Sequence, residues 1–142
     1  MQNISSVGIV GYGNVAYQLA KLFDLHSIKL EYIAGRDQRK ASELAFKCDT
    51  KALSLSDTLP KTDLVILAIS DDAIDTVKLN VDPQTLLCHT SGSKEMESIQ
   101  HPKKGVFYAL QTFTKDKSID WKKVPFLIEA KDSDDEQSLK SL

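Results

Sequence analysis

Short unbroken runs of apolar residues alternate along this chain with segments in which apolar residues recur at helical spacing. The runs at residues 7–10 and 63–70 have polar residues only at their ends, which is typical of central parallel strands covered on both faces. Residues 15–23 and 38–47 place apolar side chains on one helical face. This alternation of strand and helix predicts an α/β fold with a doubly wound, mostly parallel sheet.

The remaining apolar runs complete a sheet of seven strands. The candidate strands are residues 7–10, 28–34, 51–53, 63–70 and 85–89, a sixth strand with its exit loop at residues 106–114, and residues 125–129. Right-handed crossovers leave few arrangements, so we expect the order 3-2-1-4-5-6 with an added edge strand. Further helical turns are expected at residues 73–78 and 94–99, and residues 132–142 have the acidic beginning of another helix.

The turn between the first strand and the first helix has the pattern Gly-x-Gly-x-x-Ala, the dinucleotide-binding pattern of a Rossmann fold. Its first glycine permits a sharp turn, its second leaves room for a pyrophosphate, and its alanine lets helix and strand pack closely. The helix N-terminus then offers N–H groups to phosphate. Alternatives are a purely structural turn and, at Asn14, a helix cap, which we favour there. The predicted cofactor-binding residues are Gly11, Tyr12, Gly13, Asn14, Val15 and Ala16.

The end of the second strand is where such a domain recognises the adenosine ribose. A domain for NAD usually has a carboxylate at this point, but here Arg36 follows Gly35 with no carboxylate before it. A guanidinium suits a 2′-phosphate, and Arg39 and Lys40 add positive charge, so NADP is the expected cofactor. NAD stays possible if Asp37 contacts the ribose; alternatively, Asp37 caps the next helix and the basic residues are solvated.

Polar side chains follow the strand at residues 63–70. Ser70 and Asp71 lie at the carboxyl end of that strand, beside the point where the strand order reverses, so we expect them to contact the cofactor. The paired carboxylates of Asp71 and Asp72 could instead act as general acid or base. Helix capping by Ser70 or Asp71, with favourable negative charge in the first helical turn, explains the pair better.

The loop after the strand at residues 85–89 combines a histidine with small polar residues. His89 is the best candidate for proton transfer near neutral pH, although a lone histidine at a strand end more often has a structural role. The hydroxyl and N–H groups that follow could hold a substrate carboxylate or the nicotinamide amide; they belong to Thr90, Ser91, Gly92 and Ser93. Gln111 could face the same cleft, as could Tyr108, for which core packing is an equal alternative.

Composition and charge bound the classes of function. The chain has 142 residues, 42% of them hydrophobic and 27% charged, and a formal net charge of −2, which fits one globular domain without a basic surface for nucleic acid. No apolar run is long enough to span a bilayer and residues 1–6 lack a signal-peptide pattern, so we expect a cytoplasmic protein without membrane contact. Cys48 and Cys88 are expected to be reduced, buried thiols, and no metal site is predicted.

Several motifs, taken in order, resemble one family. They are residues 11–16, Gly-Tyr-Gly-Asn-Val-Ala; residues 35–37, Gly-Arg-Asp; residues 65–74, Val-Ile-Leu-Ala-Ile-Ser-Asp-Asp-Ala-Ile; residues 89–93, His-Thr-Ser-Gly-Ser; and residues 107–113, Phe-Tyr-Ala-Leu-Gln-Thr-Phe. Together they resemble the two-domain Rossmann-like oxidoreductases related to pyrroline-5-carboxylate reductase, the β-hydroxyacid dehydrogenases and the deazaflavin-dependent NADP oxidoreductases. The similarity covers nearly the whole chain, with Ala109 at a position where such sequences usually carry proline.

The resemblance implies an NADP-binding domain at residues 1–130 and, at residues 131–142, the start of a helix leading into a C-terminal helical domain outside this chain. In such proteins that domain forms the homodimer, closes the substrate cleft and often supplies the proton-transfer lysine. The implied activity is NADP-dependent hydride transfer on a small carbonyl, imine or hydroxy substrate. The alternatives are a non-catalytic NADP-sensing or interaction module and a Rossmann-type domain for another nucleotide or adenosyl cofactor.

Overall fold

The computed structural model describes residues 3–110 and 119–142, and its centre is one seven-stranded sheet. The strands are β1 (Ser6–Val10), β2 (Lys29–Gly35), β3 (Lys51–Ser54), β4 (Leu64–Leu67), β5 (Leu86–His89), β6 (Lys104–Ala109) and β7 (Phe126–Ala130). The helices are α1 (Asn14–Leu25), α2 (Gln38–Lys47), α3 (Asp71–Thr76) and α4 (Ser133–Lys140), with short 3-10 turns at Met96–Ser98 and Trp121–Lys123.

The strand order in the sheet is β3-β2-β1-β4-β5-β6-β7. Neighbouring strands pair in parallel except β6 and β7, which are antiparallel. The expected order with an added edge strand is therefore confirmed, and so is the doubly wound, mostly parallel α/β fold. Because the chain leaves β1 for β2 on one side and returns to β4 on the other, a crevice opens at the carboxyl edge of the sheet.

Alternate residues of the central strands point to opposite faces of the sheet, and each face has its own apolar core. On one face, Ile9 and Ile66 belong to a core that includes buried residues of α1, α2 and α4. On the other face, Val10 and Leu67 belong to a core with Ile74 of α3 and residues of connecting segments. Burial on both sides is the physical reason that β1 and β4 show no alternation of apolar and polar residues.

The limits of several elements near the carboxyl edge differ from the expected ones. Helix α3 begins before residue 73, because Ser70 occupies its N-cap position. A 3-10 turn at Met96–Ser98 replaces the longer helical turn expected at residues 94–99. Strand β4 ends earlier than expected, and residues 111–114, in the exit-loop part of the range expected for the sixth strand, lie outside the described residues.

A glycine in β1 makes room for a buried aromatic side chain of β2. A Cβ atom on Gly8 would lie 2.1 Å from Cζ of Tyr32. Tyr32 is fully buried, its hydroxyl has no hydrogen-bond partner, and burial raises the pKa of that hydroxyl. Gly8 is therefore a core-packing position and has a different role from the glycines of the turn that follows β1.

The remaining observations concern the periphery of the fold. Helix α4 packs on β6 and β7 and buries Leu139 against them. Cys48 and Cys88 are both free thiols, but only Cys88 is fully buried. Across residues 3–110 and 119–142, no helix has the length and apolar character that crossing a membrane requires. In the same ranges, His, Cys, Asp and Glu side chains form no group that could hold a metal ion.

Candidate functional site

A cleft of about 590 Å³ opens at the carboxyl edge of the sheet, where the strand order reverses. Its volume lies within the range of about 300–1,000 Å³ that is usual for small-molecule and cofactor sites. Eight of the predicted site residues line it: Gly11, Tyr12, Gly13, Asn14, Val15, Arg36, Ser70 and Thr90. The other lining residues are Val10, Gly35, Leu55, Ala68, Ile69, Ala73 and Val77.

The other predicted site residues that the structure describes do not line the cleft. Ala16 is fully buried behind the turn, in the core that joins α1 to the sheet. A second group, described below, forms the loop after β5 and its contacts with α3: Asp71, His89, Ser91, Gly92 and Ser93. Gln111 lies outside the described residues.

The backbone conformation of Gly11 and its close contact with a neighbouring carbonyl group both require a glycine at this position. Its φ of +127° is a backbone conformation that residues with a side chain rarely adopt, and a Cβ atom would lie 2.1 Å from the carbonyl oxygen of Ala68. Its N–H donates to the carbonyl of Ala34 at 2.8 Å. The turn is thereby fixed between the ends of β2 and β4, and this geometry directs α1 across the sheet.

Gly13 differs, because no contact among the described residues requires a glycine there. Its φ is −90°, an ordinary value, and a Cβ atom would have no described atom within 4 Å apart from the chain neighbours of Gly13. The residue is exposed and lines the cleft. The space that a side chain would fill is therefore left open on the cleft side of the turn.

The N-terminus of α1 opens into the same cleft without a side-chain cap. Gly13 occupies the N-cap position and has no side chain to cap the helix, and the first turn contains no acidic residue. Among the described residues, no side-chain cap hydrogen bond is formed at this helix end. The prediction that Asn14 caps α1 is wrong, because Asn14 is already the first residue of the helix. Backbone N–H groups of a helix start need acceptors, so this end of α1 is suited to an anion.

The N-terminus of α2, at the end of β2, is capped by the protein itself. Oδ1 of Asp37 accepts hydrogen bonds from the N–H groups of Arg39 and Lys40 at 3.1 and 3.2 Å. The alternative that Asp37 is the N-cap of this helix is therefore confirmed. Arg39 forms an ion pair with Glu43 on the exposed surface of α2, at 3.5 Å.

A close contact that the sequence did not predict lies beside Arg36. A Cβ atom on Gly35 would lie 2.5 Å from Cε2 of Tyr12, so the Tyr12 ring rests on the backbone of Gly35. Nζ of Lys40 lies 5.9 Å from the centre of that ring. Lys40 therefore lies beside the Tyr12 ring, Arg36 lines the same cleft as Tyr12, and Arg39 is paired with Glu43.

His89 is fully buried, and the backbone occupies both of its ring nitrogens. The N–H of Ser91 donates to Nδ1 at 3.1 Å, so Nδ1 carries no proton. Nε2 lies 3.1 Å from the carbonyl oxygen of Glu95 and must therefore donate its proton there. This neutral imidazole holds the loop after β5 in place, which favours the structural interpretation of His89 over proton transfer.

The loop after β5 satisfies most of its own polar groups. Oγ of Ser91 accepts from the N–H groups of Ser93 and Lys94 at 3.2 and 3.1 Å. These N–H groups, which could have held a substrate carboxylate, are consequently engaged within the loop. Thr90 remains in the cleft wall, where its hydroxyl donates to the carbonyl of Leu67 at 3.2 Å.

Side chains of α3 reach across to this loop. Oγ of Ser93 donates to Oδ2 of Asp71 at 2.7 Å, and this bond, with the nearby Ser91 hydroxyl, holds the pKa of Asp71 below its usual value. Lys94 and Asp75 form an ion pair, whose hydrogen bond lowers the pKa of Asp75 and raises that of Lys94. The carboxylate of Asp71 is therefore directed at the loop rather than into the cleft.

A second close approach fixes the outer side of the loop. A Cβ atom on Gly92 would lie 2.6 Å from Cε2 of Tyr108, so the tyrosine ring of β6 lies directly on the glycine backbone. Sequence reasoning named both residues but not the contact, because glycine and ring are 16 positions apart and only the folded sheet brings them together.

No family model matches the sequence, and no curated protein matches it either. Solved structures do match. A Bacteroides fragilis protein assigned as an NADP oxidoreductase is 30% identical over 97% of this chain and 56% of its own, with a TM-score of 0.86. This chain is a Rossmann domain.

Two further structures resemble the Rossmann domain in fold. A Thermotoga maritima protein is 22% identical over 89% of this chain and 49% of its own, with a TM-score of 0.74. The 1-pyrroline-5-carboxylate reductase of Streptococcus pyogenes is 21% identical over 73% of this chain and 42% of its own, with a TM-score of 0.58. The resemblance to Rossmann-like oxidoreductases is confirmed, and the Rossmann domain spans about half the length of the structures it matches.

Proposed function

We propose that this chain is the cofactor-binding domain of an NADP-dependent oxidoreductase, which transfers hydride to or from a small carbonyl, imine or hydroxy compound. The observation that carries the proposal is Gly13. Its backbone is unstrained, and a Cβ atom there would have no described atom within 4 Å apart from its chain neighbours, so space for a bound ligand is the reason we infer for a glycine at this position. A pyrophosphate held against the first N–H groups of α1 would fill that space.

The residues around the cleft have distinct roles in this proposal. The turn at residues 11–16 and the N-terminus of α1 bind the pyrophosphate, and Arg36 binds the 2′-phosphate through its guanidinium. The Tyr12 ring on Gly35 forms the surface beneath the adenosine ribose. Ser70 and Thr90 flank the nicotinamide, since they follow β4 and β5 beside the strand-order reversal.

The charge of the cleft supports NADP over NAD. Among the described residues that line it there is a guanidinium, from Arg36, and no carboxylate. Asp37, the remaining candidate for a ribose contact, has Oδ1 engaged as the cap of α2. The Bacteroides fragilis protein, 30% identical to this chain, is itself assigned as an NADP oxidoreductase.

When bound, the cofactor supplies the hydride chemistry, and this chain's residues bind it, orient it and shape one wall of the substrate site. His89 has both ring nitrogens engaged by the backbone, so we assign it to anchoring the loop after β5. We propose that the proton-transfer group and the homodimer contacts come from a C-terminal helical domain outside this chain. Residues 1–130 then form the NADP-binding domain, and residues 131–142 lead towards the helical one.

Cofactor titration with the Arg36→Ala variant tests the cofactor assignment. Wild-type protein should bind NADPH more tightly than NADH, and Arg36→Ala should weaken NADPH by roughly tenfold, the effect of one charged hydrogen-bonding group, without weakening NADH. Equal affinities of wild type and variant for NADPH would remove the role of Arg36. Mass spectrometry of nucleotides retained by the purified protein distinguishes NADP from an adenosyl or other nucleotide cofactor.

One observation favours a second candidate, a non-catalytic module that senses NADP. Within residues 3–110 and 119–142, the cleft wall contains no carboxylate, histidine, lysine or cysteine that could move a proton. Full-length protein that binds NADPH, changes its assembly state with it and oxidises it with none of a panel of carbonyl, imine and hydroxy compounds would support the sensor. Turnover with any of these compounds would support the oxidoreductase.

A further inference from the structure

The segments that follow β4 and β5 are joined by side chains outside the cleft. Asp71 lies in the first turn of α3, and Ser93 lies in the loop after β5, 22 positions later. Their hydrogen bond of 2.7 Å joins a carboxylate to a hydroxyl, a pairing stronger than one between neutral groups. Lys94 and Asp75, one helical turn further along α3, form a second link between the same two segments.

The loop at the far end of these links has little freedom of its own. The N–H of Ser91 donates to buried His89, and Oγ of Ser91 accepts from the N–H groups of Ser93 and Lys94. A restraint on Ser93 therefore acts on the whole loop, and through it on Thr90 in the cleft wall. At the other end of the link between Asp71 and Ser93, Asp71 directly follows Ser70, which also lines the cleft.

We propose that Asp71 is a positioning residue, which holds the loop after β5 against α3 so that Ser70 and Thr90 form a preformed wall for the nicotinamide half of the cofactor. The inference rests on the proposed function. It assigns Asp71 to orienting the site, in place of the direct cofactor contact expected from its position in the sequence. Asp71 does not line the cleft, and its Oδ2 is engaged by Ser93.

The proposal has a directional consequence, because the two ends of the cleft are built differently. The links run between α3 and the loop after β5, whereas Arg36 and the Tyr12 ring lie at the end of β2. Without Asp71, part of the free energy of binding must be used to order the loop. This reduction in affinity applies only to a ligand that contacts the loop. The adenosine half of the cofactor should bind as before.

Two ligands distinguish the effects at the two ends of the cleft. They are NADPH and 2′-phospho-ADP-ribose, which lacks the nicotinamide. With the full-length protein, Asp71→Ala should weaken NADPH about fivefold to tenfold, the order expected when one charge-assisted hydrogen bond no longer orders the loop. Its affinity for 2′-phospho-ADP-ribose should stay within about twofold. Arg36→Ala, in contrast, should weaken both ligands.

Asp72→Ala is the matched control, because it removes the same charge from the adjacent, exposed position of the same helix turn. It corrects for the general effect of a lost negative charge on a phosphate ligand, and it should leave both affinities unchanged. Ser93→Ala completes a double-mutant cycle: the Asp71→Ala, Ser93→Ala double variant should bind NADPH no more weakly than Asp71→Ala alone.

The outcomes distinguish the inference from the proposed function. If wild-type protein binds neither ligand, the proposed function fails and the inference fails with it. If wild-type protein binds both, but Asp71→Ala weakens both equally or neither, the inference alone is overturned. Fully additive effects of Asp71→Ala and Ser93→Ala would also overturn it, since independent residues do not form one link.

Discussion

Helices α1 and α2 begin at the same edge of the sheet, directly after neighbouring parallel strands, yet their N-termini are treated in opposite ways. Asp37 supplies α2 with a carboxylate that accepts two of its first N–H groups. Among the described residues, the start of α1 has no side-chain cap and no acidic residue in its first turn, and it faces the cleft. Because a helix start gains stability from negative charge, an uncapped start beside a cleft supports the proposed binding of the cofactor phosphates there.

Replacing Gly11, which fixes the turn into α1, should have the largest effect on the free energy of unfolding. Gly11→Ala puts a side chain at φ +127° and 2.1 Å from the carbonyl oxygen of Ala68, so we expect a loss of about 3 kcal/mol or more in the free energy of unfolding. Denaturant unfolding monitored by circular dichroism measures it. A variant as stable as wild type would mean that the turn is not fixed by this contact.

A carboxylate at the N-terminus of α1, like the one that α2 already has, should raise the stability of the protein and weaken its binding of NADPH. Asn14→Asp places a carboxylate in the first turn of α1, which should raise the free energy of unfolding by about 0.5 kcal/mol. The same charge should repel the cofactor phosphates and weaken NADPH by about tenfold, a loss of about 1.4 kcal/mol. Asn14→Gln, a neutral change at the same position, is the control. Unchanged NADPH affinity of Asn14→Asp would contradict an anion site at this helix end.

Removing the cap of α2 should give the smallest effect. Asp37→Ala should lower the free energy of unfolding by about 1 kcal/mol, the usual cost of losing an N-cap side chain. Affinity for NADPH should not fall, because the carboxylate serves α2 and not the ligand. Thermal unfolding and cofactor titration of one sample measure both. Strongly weakened NADH binding by the variant would instead indicate that Asp37 contacts the ribose.

Much of the fold follows from local pattern. The limits of α2, Gln38–Lys47, are those expected from its apolar spacing and from Asp37 as cap, because both signals lie within a few residues of the helix. The strand order follows from the sequence of strands and helices, because parallel strands need crossovers of one hand.

The features that the sequence did not predict depend on contacts between distant segments. Gly35 and Gly92 are glycines because the rings of Tyr12 and Tyr108 rest on them, which no local signal reveals. Asp71 has the right type and position for a cofactor contact, but its partner is Ser93, 22 positions away. The local sequence motifs therefore predict the position of the cleft. They do not reveal the side chains outside the cleft, such as those of Asp71 and Ser93, that stabilise its wall.

Gly13→Ala tests the central claim most directly, because the added methyl group enters open space on the ligand side of the turn. NADPH affinity is measured by titration, together with the free energy of unfolding of the same protein. We predict that NADPH affinity falls by at least about tenfold, while stability stays within about 1 kcal/mol of wild type, the range for a change at an N-cap glycine. Unchanged NADPH affinity in an equally stable variant would contradict the account.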